Sequence, residues 1–288
     1  MQMSQRANGK LCLLVTSSFV AILLATMPAP TFAQTPLDQA WSILQAGASD
    51  SSNQQRLATM RVLQLIVGDP KAAGMAEQGL HDSDPDVRGA AALSLGAMKV
   101  KSAIPLLIAA AKSEKEGAVV MAEAKALIQL GNEKGYDVYY AVLTGERKSG
   151  EGLIGSQEEE MKKMLRNPKQ LEAMAFEQGM GFVPFGGVGI KVYESIRDSE
   201  SSGSIVKATC IKILAMDPDP RTSKALVAAT TDKEWLLRAA AFDALARRGD
   251  RSLLPAVTLG LKDERPEPKL TAAAAVVHLS TAAKSSAQ

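Results

Sequence analysis

Apolar residues recur along this chain at helical spacing. The segments LDQAWSILQAG, KAAGMAEQGL, SAIPLLIAAAK, YDVYYAVLTG, TSKALVAATT and SLLPAVTLGLK each carry one apolar stripe. Each except YDVYYAVLTG is soon followed by a second stretch of the same kind. No convincing run shows the period of two that marks a strand. The predicted elements are pairs of short helices. Asp69-Pro70, Asp84-Pro85 and Asp217-Pro218 fit helix starts, since aspartate caps a first turn and proline is tolerated inside it. Helices this short are marginal in isolation, so the pairs must bury their apolar faces against one another.

The second helices share a template. Arg88, Ala91 and Leu95 in DPDVRGAAALSLG set it: a basic residue, a small one three further on, and a large aliphatic one seven further on. Arg56/Thr59/Leu63, Lys207/Cys210/Leu214, Arg238/Ala241/Leu245 and Lys269/Ala272/Val276 repeat it, and Glu123/Ala126/Leu130 does so with an acid in place of the base. The anchors at 56, 88, 123, 207, 238 and 269 are separated by 32, 35, 84, 31 and 31 residues. A fixed period of this size marks an array in which each unit contacts its neighbours. Cys210 falls at the small position and is expected to be a buried packing thiol. Arg88 and Arg238 stand beside Asp84/Asp86 and Asp232/Glu234, and local ion pairs with a structural role are expected there.

HDSDPDVRGAAALSLGAM, residues 81–98, resembles the HEAT repeat in the short form found in phycobilisome lyases. The resemblance implies an all-α fold, an α-solenoid of about six helix-pair repeats, used as a protein-binding scaffold. It brings no catalytic residue with it, because fold does not carry function.

One spacing is too long. Taking a period out of the 84-residue gap leaves a helical insertion in the fourth repeat, at 148–202, flanked by RKSGEGLIGS and DSESSGS. The expected organisation is then 1–33 as a leader, 34–147 as repeats 1–3 with the first helix of repeat 4, the insertion, and 203–288 as the second helix of repeat 4 with repeats 5 and 6. Seven of the ten aromatic residues beyond position 33 lie between 136 and 193. Because aromatics dominate binding hot spots, the candidate partner contacts are Tyr139, Tyr140, Phe182, Phe185 and Tyr193. Gly186 and Gly187 join them as residues that permit a tight bend or close backbone approach.

The first 33 residues have the pattern of an export signal: Arg6 and Lys10, an uncharged apolar run from Leu11 to Met27, and Thr31-Phe32-Ala33 as a small-x-small cleavage site. A periplasmic or secreted protein is expected. Without the leader, the 33 basic and 31 acidic residues become 31 and 31, and this balance lacks the basic footprint of a nucleic-acid binder. The glycines of GMGFVPFGGVGI match neither a dinucleotide fingerprint nor a phosphate loop. Asp82, Asp84 and Asp86 imitate a calcium loop but lack its glycine and final acid. His81 and His278 belong to no ligand set. No cofactor, metal or catalytic constellation is therefore expected. The leading expectation is an exported non-enzymatic scaffold for a protein partner. Membrane contact through 179–190 stands second, and a lyase-like activity by family analogy third.

Overall fold

A computed structural model describes residues 34–144 and 202–285. Among them are twelve α-helices and no strand. They are α1 (Pro36–Ala48), α2 (Asn53–Leu63), α3 (Pro70–Gly79), α4 (Pro85–Ala97), α5 (Ile104–Ser113), α6 (Gly117–Gln129) and α7 (Lys134–Thr144), then α8 (Ser202–Leu214), α9 (Pro220–Ala229), α10 (Trp235–Arg248), α11 (Leu254–Leu259) and α12 (Pro266–Ser285). Short 3-10 turns precede α5 and α11, and another follows α11. The expected α-solenoid is what forms.

Aspartates start the helices by satisfying first-turn amides. The Asp69 carboxylate accepts from the amides of Lys71 and Ala72, and that of Asp84 from Asp86 and Val87, with Pro70 and Pro85 in the first turns. At the third junction the start is displaced by two residues. Asp219 caps α9, with Pro220 in its first turn, while Asp217 accepts from the Asp219 amide and the Thr222 hydroxyl. The sequence there reads Asp-Pro twice, and the first aspartate is used to build the turn leaving α8.

Second helices stack on second helices: α2 on α4, α4 on α6, α8 on α10, α10 on α12. First helices α3, α5, α9 and α11 pack on α4, α6, α10 and α12. The small residue of the template is set by how closely the end of each first helix approaches. A Cβ added at Gly79 would lie 2.9 Å from Ala91 Cβ, and one at Gly260 would lie 2.6 Å from Ala272 Cβ. Both distances are shorter than carbon atoms tolerate, so small residues are needed on both sides of the contact. Cys210 departs from expectation here: it is exposed.

The last helix closes the series in an order that differs from the chain. α12 packs on α10 and also on α1 and α2. Covered on both sides, it buries Leu270, Ala272, Ala273, Ala274, Ala275, Val276, Val277 and Leu279, in keeping with a helix that is apolar all round. A Cβ at Gly47 would lie 2.9 Å from Leu270 Cδ2, so α1 and α12 are in intimate contact. In space the second-helix series therefore runs α8, α10, α12, α2, α4, α6, with α7 on α6. Spacing assigns α7 and α8 to one repeat. Each packs elsewhere, and they stand at the two ends of this series.

An arginine ladder ties consecutive repeats together. Arg56 donates through Nε and Nη2 to Asp82 at 2.7 and 2.9 Å, Arg88 to Glu114 at 2.7 and 3.0 Å, and Arg238 to Asp263 at 2.6 and 2.8 Å. Each Nη1 donates to two carbonyls in the turn of its own repeat: Asp50 and Ser51, Asp82 and Ser83, Asp232 and Lys233. The acids are therefore not the sequence neighbours Asp84, Asp86 or Glu234 but residues 25 or 26 positions on, in the following repeat. Local pairing was the wrong partner choice because the guanidinium points across the stack. Each acid also accepts backbone amides: Asp84 on Asp82, Lys115 and Glu116 on Glu114, and Arg265 on Asp263. The Arg56 hydrogen bonds hold Asp82 below the usual carboxylate range. For Glu114 and Asp263 burial pushes upward, and the arginine and amide hydrogen bonds outweigh it.

Breaking a part-buried bidentate pair leaves its acid without the arginine. Arg88→Ala should cost about 2 kcal/mol in urea unfolding, whereas Arg221→Ala, which removes an arginine side chain that is 90% exposed, should stay within about 0.5 kcal/mol. Equal costs would show that the ladder does not hold the repeats.

Candidate functional site

Two places on the stack present side chains that packing does not require. The first is α7. Residues four apart share a helix face, whereas adjacent ones diverge by about 100°. Tyr136 and Tyr140 accordingly stand together on the outer face, 53% and 66% exposed. Tyr139 turns the other way, half-buried, with its hydroxyl donating to the Met121 carbonyl of α6 at 3.4 Å. Of the pair chosen from sequence, Tyr140 is thus an outward residue and Tyr139 a packing one, and Tyr136 takes the companion role. Phe182, Phe185, Gly186, Gly187 and Tyr193 lie outside the described residues. So does 179–190, the stretch weighed for membrane contact. No described helix is long and apolar enough to cross a membrane.

The second place lies across α8, α10 and α12. Counted from the template anchors, Lys212 and Asp243 occupy equivalent positions five residues on, and Arg247 and His278 equivalent positions nine on. Arg61 also holds the five-on position, in the first repeat, and Leu93, Ile128 and Ala274 hold it in the other three. Asp243 is 2% exposed. Arg247, one turn further along α10, donates to it through Nε at 2.8 Å and keeps a side chain 36% exposed. Burial drives the Asp243 carboxyl up to about 6, against the pull of Arg247 and of Lys212 on α8. Lys212 is lowered by burial and by repulsion from Arg247, and His278 on α12 is lowered by the same two causes. Arg247 is therefore the centre of the group. Nearby on α8 and in the turn after it, Ile213 and Met216 are 72% and 74% exposed.

Sequence reading missed this group because its members on neighbouring helices are 31 or 35 residues apart and only the repeat frame aligns them. Arg247 and His278 at the nine-on place, where Leu65, Ala97 and Met216 stand in other repeats, were the available signal. The Asp243 carboxyl, raised to about 6, is the group here that changes charge just below neutral pH. Among the described residues no group of His, Cys, Asp and Glu could hold a metal ion.

Stacked helix pairs, a small-residue contact within each pair and an arginine ladder between pairs define a helical-repeat solenoid. A model of HEAT repeats matches residues 42–128, 75–144 and 195–277, and the chain belongs to the HEAT-repeat family. No curated protein matches it. Among solved structures it is similar to the complex of CpcE and CpcF of phycocyanin lyase from Nostoc sp. PCC7120, with 17% identity, 88% of this chain and 98% of that chain covered, and a TM-score of 0.32. It is also similar to human deoxyhypusine hydroxylase, with 16% identity, 84% of each chain covered, and a TM-score of 0.28. The expectation of a non-enzymatic chain is corrected by these findings, because a lyase and a hydroxylase, both enzymes, stand among the similar structures. At these TM-scores neither likeness assigns a reaction, substrate or partner to this chain.

The raised Asp243 value fixes a pH dependence. A carboxyl whose folded value of about 6 exceeds its ordinary 3.8 contributes stability that is complete below 3.8 and is lost as pH rises through 6. His278, lowered from 6.5, acts in the opposite sense: its contribution is present above 6.5 and is lost as pH falls through its folded value. Comparison with Asp243→Asn cancels that histidine effect to first order. Relative to the variant, the wild type should gain up to about 3 kcal/mol as pH falls from neutral toward 4. Urea unfolding at both ends of that range measures it, and a pH-independent difference would contradict the assignment.

Proposed function

We propose that this chain is an exported scaffold that binds a partner protein at the ends and along the second-helix face of its stack. One observation carries the reading. Of the eight large apolar side chains exposed among the described residues, Tyr136, Tyr140, Ile213, Leu214 and Met216 belong to the two end helices or the turn after α8. A solenoid that works alone needs polar outer faces on its terminal repeats. Apolar end faces instead fit a surface that a complex covers. Tyr140 with Tyr136 is the primary contact, and Tyr139 fixes α7 from behind. Residues 148–202, with Phe182, Phe185, Gly186, Gly187 and Tyr193, are attached in the chain to both of these ends, and we assign them to the same contact.

Export rests on the charged start, apolar run and cleavage site of residues 1–33. The partner is then a protein of the periplasm or the medium. No nucleic acid is implied by a balanced charge.

A photo-reactive phenylalanine at Tyr140, placed in the full chain in cells, should give a discrete adduct. The same probe at exposed Gln78 on α3 should give none. Tyr136→Ser/Tyr140→Ser should weaken capture of that adduct's partner at least tenfold with melting unchanged, as removal of a hot-spot pair does. The captured chain should be shortened by residues 1–33 and lie outside the cytoplasm. Adducts of the same pattern from Gln78, or an uncleaved cytoplasmic chain, would contradict the reading.

A further inference from the structure

We infer that α8 is a dimerisation helix, whose exposed face packs on the α8 of a second copy of this chain. The proposal deepens the scaffold reading and rests on it: it names the occupant of the α8 end and leaves the α7 end to the partner.

The burial pattern of α8 carries it. Lys207, Cys210, Ile213 and Leu214 share one face of the helix, since residues three, four and seven apart align on a helix. All four are exposed, Ile213 at 72% and Leu214 at 38%. On the other side Ile211 and Ala215 are buried, and α8 packs on α10. In the other five second helices the place three on from the anchor is 0% exposed, and the place seven on is at most 6% exposed. Neighbouring helices cover that face. A Cβ at Gly79 would lie 2.9 Å from Ala91 Cβ, and Ser94, six on from its anchor, donates its hydroxyl to the Met60 carbonyl of α2 at 2.6 Å. In α8 the same three places hold cysteine, isoleucine and leucine, the residue types of a covered face, and all three are exposed. Their apolar surface drives association in proportion to the area removed from water.

Two features select a second copy as the cover. The first is continuity. Among the described residues α8 ends the series of second helices, and another α8 laid on it extends that layer across two copies by the kind of contact that joins α8 to α10. A twofold contact of this sort uses one patch on both copies. The second is charge. The exposed face is centred halfway between Cys210 and Leu214. Two such helices laid antiparallel about that point bring the Ile213 side chains together, Cys210 opposite Leu214, and Lys207 opposite the turn that holds Asp217. Opposite charges then meet at both rims of the apolar contact. One helix pair covers less than the roughly 800 Å² per partner of a standard stable complex, so the dimer is weak and concentration-dependent. Joined in this way, two copies offer two α7 ends, and a partner with two sites gains from both.

The test is sedimentation velocity on the chain from residue 34 onward, in which Cys210 is the single cysteine. It should show a monomer-dimer equilibrium in the micromolar range and no larger species. Ile213→Asp should weaken the dimer at least tenfold and Lys207→Glu severalfold, whereas Leu259→Asp, at a side chain 66% exposed on α11, should leave it unchanged. A short bismaleimide should join the two Cys210 thiols in the wild type and fail to do so in Ile213→Asp. A chain that stays monomeric at every concentration would overturn the proposal, and slow labelling of Cys210 in that monomer would show that residues of the same chain cover the face. Dimers that survive Ile213→Asp, or species that grow past the dimer, would overturn it by placing the contact elsewhere. A monomeric chain that still gives the Tyr140 adduct would remove this inference and leave the scaffold reading standing. A dimer without a discrete Tyr140 adduct would remove the partner contact alone.

Discussion

The contact on which the structure depends is the seating of α12 against α1 and α2. A helix pair buries one face by folding on itself and needs a neighbour for the other. In this chain the last pair finds that neighbour in the first pair. The consequence is a continuous core in which α12, near the end of the sequence, lies in the middle of the series of described helices. Gly47 permits the approach, since any side chain there would meet Leu270 and Thr59. Among the described residues the two ends of the series are helices from the middle of the chain, α7 and α8, and both carry exposed apolar side chains.

Within the stack, specificity and adhesion come from different groups. Alanine and leucine faces supply burial but fit one another in many registers. The ladder of Arg56, Arg88 and Arg238 fixes register, because a guanidinium that must reach two carbonyls of its own turn and one acid of the next repeat allows a single offset. The Lys212, Asp243, Arg247 and His278 group follows none of this logic. In it Arg247 meets the buried Asp243 carboxylate of its own helix and does not reach an acid of the next repeat.

The helix pairs, their period and the small position at Ala91, Ala241 and Ala272 were legible in the sequence, because periodic burial leaves a periodic trace. The order of the pairs in space was not, since the same apolar face serves any neighbour. Only the uniform apolarity of LTAAAAVVHLS hinted that α12 is covered on both sides. Ladder partners were misassigned because proximity along the chain favoured Asp84 and Glu234, whereas the side chains cross to Glu114 and Asp263. Tyr139 and Tyr140 were paired by adjacency, although a helix sets adjacent residues on different faces. Cys210 was read as buried from its place in the template, which presupposes a first helix packed over it. Of the candidate contacts, those at 182–193 fall outside the described residues, and the α10-centred group needed the repeat frame to bring residues from three helices into one view.

The seating of α12 on α1 is tested most directly by a distance. In the chain from residue 34 onward, which lacks Cys12, and with Cys210 replaced by serine, spin labels at Ala46→Cys on α1 and Lys269→Cys on α12 should give a narrow distribution centred between roughly 10 and 25 Å, as two helices packed 8 to 10 Å apart require once label tethers are added. A solenoid stacked only in chain order would separate its first and last repeats by several helix layers of about 10 Å each. A broad distribution beyond about 40 Å would contradict the account.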